Sequence, residues 1–223
     1  MALILKGCVT VNGHVVSEPS APIDSLKDKV CVHGTHVRTK SHAYILLHKP
    51  EGYVTTKKDR HAEKIASDLL PQEYRHLYPV GRLDKDTEGL LLFTNDGDTA
   101  YRLTHPKFNV DKTYLTVIQG ELKNPDQLRL EKGVVVEGKM TAPAKIAEAH
   151  FLNRKTTFKL TIHEGRKRQI RAMLSGLGYK VTYLKRISQG PLQLGSLARG
   201  RWRSLEENEV AALKGFLRQK NHP

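Results

Sequence analysis

The stretch that most restricts how this chain can fold runs from Val80 to Gly97, VGRLDKDTEGLLLFTNDG. An apolar approach, His76-Leu77-Tyr78-Pro79-Val80, enters a polar, charged loop. The loop leaves into a second apolar run, Leu90 to Phe93, which the turn Asn95-Asp96-Gly97 closes. Two strands with a charged loop between them form a rigid frame on which a reactive group can be presented. The plain alternative is a hairpin with a solvated tip. What separates the two is whether the rest of the chain supplies partners for Asp84.

Charge narrows the setting. The 223 residues carry 37 Lys and Arg against 23 Asp and Glu, a formal net charge of +14. A field of that size favours polyanions, above all nucleic acid. The basic residues are interspersed as Arg166-Lys167-Arg168 with Arg171, Lys185-Arg186, and Arg199, Arg201 and Arg203. Lys57-Lys58 forms another pair. That distribution suits a structured RNA surface better than a disordered arm. No run approaches the roughly 18 apolar residues of a membrane span, and the start lacks the basic first region of a signal peptide. Cys8 and Cys31 suggest no disulfide framework, which fits a reducing cytoplasm.

The strand and turn signals divide the chain in two. Residues 1–40 read as a short β-rich piece: Val9 to Val16 is strand, Asn-Gly turn, strand, and Val30 to Gly34 is another short strand and turn. This piece is too small to hold a core alone. Residues 41–223 read as the main domain. It opens on Tyr44-Ile45-Leu46-Leu47 and a turn set by Pro50 and Gly52. A polar loop is expected over Lys57 to His61 and a helix over Ala62 to Leu70, stopped by Pro71. Asp96 is placed to cap a helix through Leu103. Lys112 to Ile118 alternates as a strand, and Asn124-Pro125-Asp126-Gln127 opens a short helix. Strands near Val134–Val136, Lys145–Phe151, Thr156–Ile162 and Tyr179–Ile187 follow, with helices over Gln169–Leu177 and from Leu205 to about Arg218. Runs of strands with a few helices among them predict an α+β fold with a mostly antiparallel mixed sheet flanked by helices.

Two chemistries are open to the loop. Asp84, Asp86, Asp96 and Asp98 form two Asp-x-Asp pairs that could hold a hard cation for phosphodiester hydrolysis. Alternatively Asp84 acts without metal, as nucleophile or general base, if a cation keeps it ionised and aimed. Arg82 is the nearest cation. Arg168 and Arg171 are the others, three apart and so on one face of a predicted helix. Lys112 and Tyr114 share one side of their strand, a cation beside an aromatic ring that suits a nucleobase.

In this order, Gly81-Arg82-Leu83-Asp84-x-Asp86-Thr87-x-Gly89-Leu90, Lys112-x-Tyr114 and Glu164-Gly165-Arg166-x-x-Gln169-Ile170-Arg171 resemble the motifs of the RsuA-type ribosomal RNA pseudouridine synthases. Lys49-Pro50-x-Gly52, Gly190-Pro191-Leu192 and Gly200-Arg201-Trp202-Arg203-Ser204-Leu205 match the same pattern. The resemblance covers about residues 43 to 215. It implies a pseudouridine synthase fold and the isomerisation of a uridine in ribosomal RNA, free or in a pre-ribosomal particle, with no metal, cofactor or small-molecule cosubstrate. Nothing in the chain reads as a dimer seam, so a cytoplasmic monomer is the expectation. Asp84 would initiate cleavage of the N-glycosidic bond, Arg171 would pair with Asp84, and Tyr114 would stack on the extruded uracil. RNA contacts would come from Lys49, Arg82, Lys112, Arg166, Arg168 and Gln169. The loop wording is closer to the large-subunit-directed RluB branch than to the small-subunit branch. In the family an N-terminal RNA-binding module begins with helices, and residues 4–13 resemble only its second half, so a truncated or partial module is expected. The competing expectations are a non-catalytic rRNA-binding assembly factor and the metal-dependent nuclease.

Overall fold

The computed structural model describes residues 2–24, 27–37, 41–56 and 64–220. The chain separates into two compact units, Met1–His42 and Ala43–Pro223. In the first, a one-turn helix α1 (Ala2–Leu5) precedes β1 (Val9–Val11), β2 (His14–Val15), β3 (Val30–Val32) and β4 (Thr35–His36), which pair in the order β2-β1-β3-β4. Asn12 and Gly13 both take positive φ, as a two-residue hairpin turn with right-handed strand twist requires. The Asn12 side chain also ties the turn to Asp28, through a 2.8 Å hydrogen bond.

The second unit begins with β5 (Tyr44–Lys49), β6 (Tyr78–Pro79), β7 (Glu88–Thr94), helix α2 (Gly97–Thr104) and β8 (Lys112–Gln119). Then come α3 (Asn124–Lys132), the short pair β9 (Val135–Val136) and β10 (Lys139–Met140), β11 (Lys145–Leu152), β12 (Lys155–Ile162) and α4 (Gln169–Gly176). The unit ends with β13 (Val181–Gln189), β14 (Leu192–Gln193), β15 (Trp202–Ser204) and α5 (Glu207–Gln219). The main sheet runs β11-β12-β8-β13-β7-β5-β15, with β14 on β13 and β6 on β7. All its pairings are antiparallel except β13 with β7, where Lys185 faces Glu88 and Arg186 faces Gly89. The fold is α+β, a mixed sheet flanked by helices.

The apolar runs have a direct reason. Leu90 and Leu92 pack on one face of the sheet with Leu103 of α2 and with Leu213 and Leu217 of α5. Leu91 and Phe93 pack on the other with Leu130 of α3 and with Ile170, Met173 and Leu174 of α4. A strand buried on both faces has no polar side to alternate with, so it is written as continuous hydrophobic sequence. β5 behaves alike, with Ile45 and Leu47 on one face and Tyr44 and Leu46 on the other.

The helix after the loop starts where its sequence requires. Asp96 is the N-cap of α2, accepting from the Thr99 amide at 3.1 Å and from the Thr99 hydroxyl at 2.8 Å. Its carboxylate also takes the Tyr44 hydroxyl at 2.6 Å and the Lys214 ammonium of α5. One element differs from expectation. Within the described part of the helix expected over 62–70, residues 64–70, Ala66–Leu69 forms a short 3₁₀ turn whose Leu70 amide donates to the Ser67 carbonyl. Residues 57–63, which hold the expected polar loop and the first two positions of that helix, lie outside the described residues. Leu70 is already extended at the residue before Pro71, where the proline ring disfavours the helical region, so the segment closes as a single 3₁₀ turn.

Candidate active site

The loop between β6 and β7 is held by backbone clamps on every side. The Thr55 hydroxyl donates to the Leu83 carbonyl at 2.9 Å and accepts from the Leu83 amide at 3.2 Å. The Gly52 amide donates to the Lys85 carbonyl at 2.7 Å, and the Thr87 amide to the Asp84 carbonyl at 3.1 Å. Lys49, fully buried at 0% exposure, donates its ammonium to the carbonyls of Thr87 (2.8 Å) and Pro50 (3.0 Å). Burial pulls the Lys49 ammonium down to about 8, against the opposing pull of Glu51, Asp84, Asp86 and Glu88. A carboxylate on a loop tied this tightly has little freedom to wander, which is what preorganisation requires.

Asp84 lines a cavity of about 620 Å³, within the size range of small-ligand sites. Leu83 beside it is buried in the core below. Among the described residues the Asp84 carboxylate has no hydrogen-bond or ion-pair partner. Tyr114 of β8 stands in the same wall, 8% exposed, with Leu184 of β13 and Ile170 of α4 as apolar neighbours along the lining. Arg82 and Lys85 are exposed at the rim.

The structure corrects the expected partner of Arg171. Its guanidinium donates to the Asp86 carbonyl at 2.8 Å and to the Val181 carbonyl at 3.3 Å, and its Nε lies 3.2 Å from Asp86 Oδ2. Arg168 binds the same Asp86 carboxylate with two parallel hydrogen bonds of 3.0 and 2.8 Å. The Arg168 guanidinium, with Arg171 in support, holds the Asp86 carboxyl below the usual carboxylate range. Arg168 is not inside the helix, as its three-residue spacing from Arg171 predicted. It is the N-cap of α4 in the left-handed conformation, φ 51°. That turn lets it reach Asp86 from outside the helix, while Arg171 reaches from within. Both arginines therefore restrain the loop two residues past Asp84, leaving the Asp84 side chain to the cavity.

The other expected RNA contacts divide. Lys49 is corrected outright: a fully buried ammonium held by two carbonyls cannot meet RNA at the surface. Gln169 is likewise buried, at 3%; its Oε1 accepts from the Arg166 amide at 3.0 Å and its Nε2 donates to Glu164. Arg166 donates to the carbonyls of Met140 (2.7 Å) and Lys139 (3.2 Å), tying the turn before α4 to β10. Lys112 lies deep in the cavity wall, its ammonium donating to the carbonyls of Val110 (2.9 Å) and His163 (3.3 Å). Burial and the neighbouring Arg186 charge pull that ammonium down to about 8. Lys112 and Tyr114 do face the same side of β8, as strand periodicity predicts.

The carboxylates of the alternative metal reading are dispersed. Asp86 binds arginines, Asp96 caps α2, and Asp98 pairs with Arg102 at 2.8 Å. Among the described residues no group of three or more His, Cys, Asp or Glu could hold a metal ion, and no helix is long and apolar enough to cross a membrane.

Sequence reasoning missed Thr55, Arg186 and Gln189. Thr55 carried no signal, being one hydroxyl in a polar segment. Arg186 sat in the predicted strand as one basic residue among several, yet it is 2% exposed and lies in the cavity wall. An arginine two residues from Leu184, and so on the same face of the strand, was the available clue.

The comparisons with known proteins agree with this geometry. Residues 43–176 match the family model described as RNA pseudouridylate synthase. A ribosomal large subunit pseudouridine synthase B of Bacillus subtilis (strain 168) is 40% identical over 216 residues, 96% of this chain and 88% of the relative. An RNA pseudouridine synthase of Aquifex aeolicus (strain VF5) is 37% identical over 212 residues, 95% of this chain and 85% of the relative. A solved structure titled as a crystal structure of pseudouridylate synthase superposes with a TM-score of 0.71 and 30% identity, covering 95% of this chain and 91% of that one. A chain whose Asp84 loop, Tyr114 strand and Arg171 helix converge on one cavity, and whose relatives share nearly its whole length, belongs to the RNA pseudouridylate synthase family of isomerases.

Proposed function

We propose that this protein converts a uridine of ribosomal RNA to pseudouridine, with Asp84 as the residue that initiates cleavage of the N-glycosidic bond. The observation that carries the reading is the unpartnered Asp84 carboxylate, on a loop clamped from four directions, opening into the cavity that Tyr114 lines. The bond from N1 to the ribose C1′ breaks and the uracil turns. A bond from C5 to C1′ forms, and the C5 proton is lost as N1 gains one. Atoms and electrons balance within the substrate, so the reaction itself calls for no cosubstrate. Tyr114 supplies a face on which the extruded base rests, and Arg168 and Arg171 act through Asp86 to hold the loop. The base must leave its stack, at a cost of a few kcal/mol that phosphate contacts on a +14 surface offset. Arg82 and Lys85, exposed at the rim, are placed for such contacts.

Within the family, the RsuA and RluB group is the proposed place of the chain, and large-subunit ribosomal RNA the proposed substrate. The Bacillus subtilis relative is named for the large subunit, and the motif wording points the same way. We also propose residues 1–40 as a small accessory RNA-binding module and residues 41–223 as the catalytic part.

Carbodiimide primer extension on ribosomal RNA from cells lacking the gene tests this. Loss of one stop, restored by the wild-type gene and not by Asp84→Asn, is the expected result. An unchanged pattern of stops would instead mark an rRNA-binding assembly factor.

A further inference from the structure

Among the described residues that line the cavity, Thr87, Arg171, Arg186 and Gln189 each carry a buried side-chain atom with no hydrogen-bond partner, and two of these residues stand on one strand, β13. Arg186 is 2% exposed and Gln189 is 0% exposed, both line the cavity, and neither Arg186 Nη2 nor Gln189 Oε1 has a hydrogen-bond partner. Each side chain is anchored at its other end. Arg186 Nε donates to the Leu90 carbonyl at 2.8 Å. Gln189 Nε2 donates to the Leu103 carbonyl at 3.4 Å. A carbonyl only accepts, so this bond sets the orientation of the amide and leaves Oε1 as an acceptor.

The sheet places the two side by side. Arg186 of β13 lies opposite Tyr114 of β8, and Gln189 lies opposite Lys112. A register shift between Arg186 and Ser188 returns Gln189 to the face that Arg186 occupies. The result is a buried donor and a buried acceptor on residues of β13 that pair with Tyr114 and Lys112 of β8, all four lining the same cavity. Buried polar groups left unpaired are uncommon because each carries its full desolvation penalty, and such groups call for an explanation.

We propose that Arg186 and Gln189 form a polar subsite that reads the imide edge of the target uracil, Gln189 Oε1 accepting from N3–H and Arg186 Nη2 donating to the adjacent carbonyl. This deepens the pseudouridine synthase reading and rests on it. The pair is complementary to uracil and wrong for cytosine at the acceptor, to which cytosine offers a bare ring nitrogen, and wrong at the donor as well where the carbonyl read is O4, which cytosine replaces with an amino group. It also suits the isomerisation. Turning uracil by half a revolution about the axis through N3 and C6 exchanges N1 with C5 and one carbonyl with the other. N3–H stays where it was. The same two contacts therefore hold the base before and after the turn, whereas contacts to any other edge would have to break and reform.

The test uses the full chain and a transcript fragment carrying the mapped uridine, in single-turnover assays with RNA affinity measured in parallel. Gln189→Met fills the same space without an acceptor. It is expected to slow conversion by about 10- to 100-fold with RNA affinity within about threefold of wild type. Gln189→Ala is read on the same fragment with 3-methyluridine at the target. The wild type is expected to prefer uridine over 3-methyluridine by at least about 100-fold, and Gln189→Ala to narrow that preference to within about 10-fold. Conversion by Gln189→Met within about twofold of wild type overturns the inference. So does an unaltered preference in Gln189→Ala, which decides the matter if Gln189→Met fails to fold. Both leave the synthase reading intact. A wild-type protein that converts no uridine of ribosomal RNA overturns that reading, and the subsite with it.

Discussion

Arg168 and Asp86 are 82 residues apart in sequence and face each other through two parallel hydrogen bonds, 3.0 and 2.8 Å long. That fork joins the turn before α4 to the loop that carries Asp84. Both side chains are nearly half exposed, at 46% and 45%, so solvent screening leaves the pair worth less than about 1 kcal/mol of stability. Its value lies in position. Asp86→Asn is expected to lower turnover by about 10- to 100-fold, the scale on which small displacements of a reacting group act. The melting temperature should fall by no more than about 3 °C. Turnover and thermal melts on the same preparations check both.

The Asp86 carboxyl also sets a pH dependence. Its folded pKa is lowered, first by the Arg168 hydrogen bonds, from an ordinary value of 3.8. The unfolded state therefore binds more protons as pH falls below about that value. The contribution is fully present above it and is lost as pH falls through the folded pKa. The stability difference between wild type and Asp86→Asn should be constant from pH 7 to pH 5 and shrink on further acidification, read by denaturant titration.

Lys112 predicts a slope of the same sign, stability rising with pH, in a window at high pH. Its folded pKa is about 8 against an ordinary 10.5, chiefly through burial. Below about 8 both states are protonated and the cost of burying the charge is fully present. Between there and about 10.5 the unfolded state binds more protons, so the cost is relieved as pH rises. Relative to Lys112→Met, the wild type should gain about 1 kcal/mol per pH unit between about pH 8.5 and 10. Paired denaturant titrations across that range measure it.

Gly89 is a point where the loop motif admits no side chain. Its φ is +112°, and a β-carbon there would lie 2.2 Å from the Arg186 carbonyl oxygen and 2.6 Å from its amide nitrogen. This is the register at which β7 and β13 run parallel. Gly89→Ala is expected to cost more than about 3 kcal/mol, by backbone clash and left-handed strain together. Gly97→Ala, at the start of α2 with nothing within 4 Å, should change stability by less than about 1 kcal/mol. Chemical denaturation of the two variants separates a site-specific clash from a general intolerance of alanine.

Asp96 should behave as a structural carboxylate. It caps α2 and binds Tyr44 and Lys214 while 3% exposed. Asp96→Ala removes the cap and leaves a half-buried ammonium without its carboxylate, so a loss of about 2 to 4 kcal/mol is expected. Residual turnover per folded molecule should stay near that of the wild type, in contrast to Asp84→Asn, whose turnover should vanish while its melt is unchanged.

Much of this was legible in one dimension because the signals are local. Leu90 to Phe93 announces a strand buried on both faces, Asp96 announces the cap of α2, and the spacing around Asp84, Tyr114 and Arg171 announces the family. The net charge of +14 announces a polyanionic partner. Periodicity, capping and motif order depend on neighbours within a few residues, and the chain carries them wherever it folds. What the tertiary structure alone decided is which side chain meets which across long separations. Arg171 was expected on Asp84 and stands on Asp86, because the left-handed turn at Arg168 and the register of the α4 segment aim both arginines two residues further along the loop. Lys49 was expected at the RNA and is sealed beneath the loop, because β5 lies in the sheet interior between β7 and β15. Arg186 carried only its place in the strand beside Leu184, and Gln189 carried no mark. Their place in the cavity comes from β13 pairing with β7 and β8 at once, and from the bulge that turns Gln189 back beside Arg186. Sheet register is set by packing across the whole domain, and no local stretch of the chain encodes it.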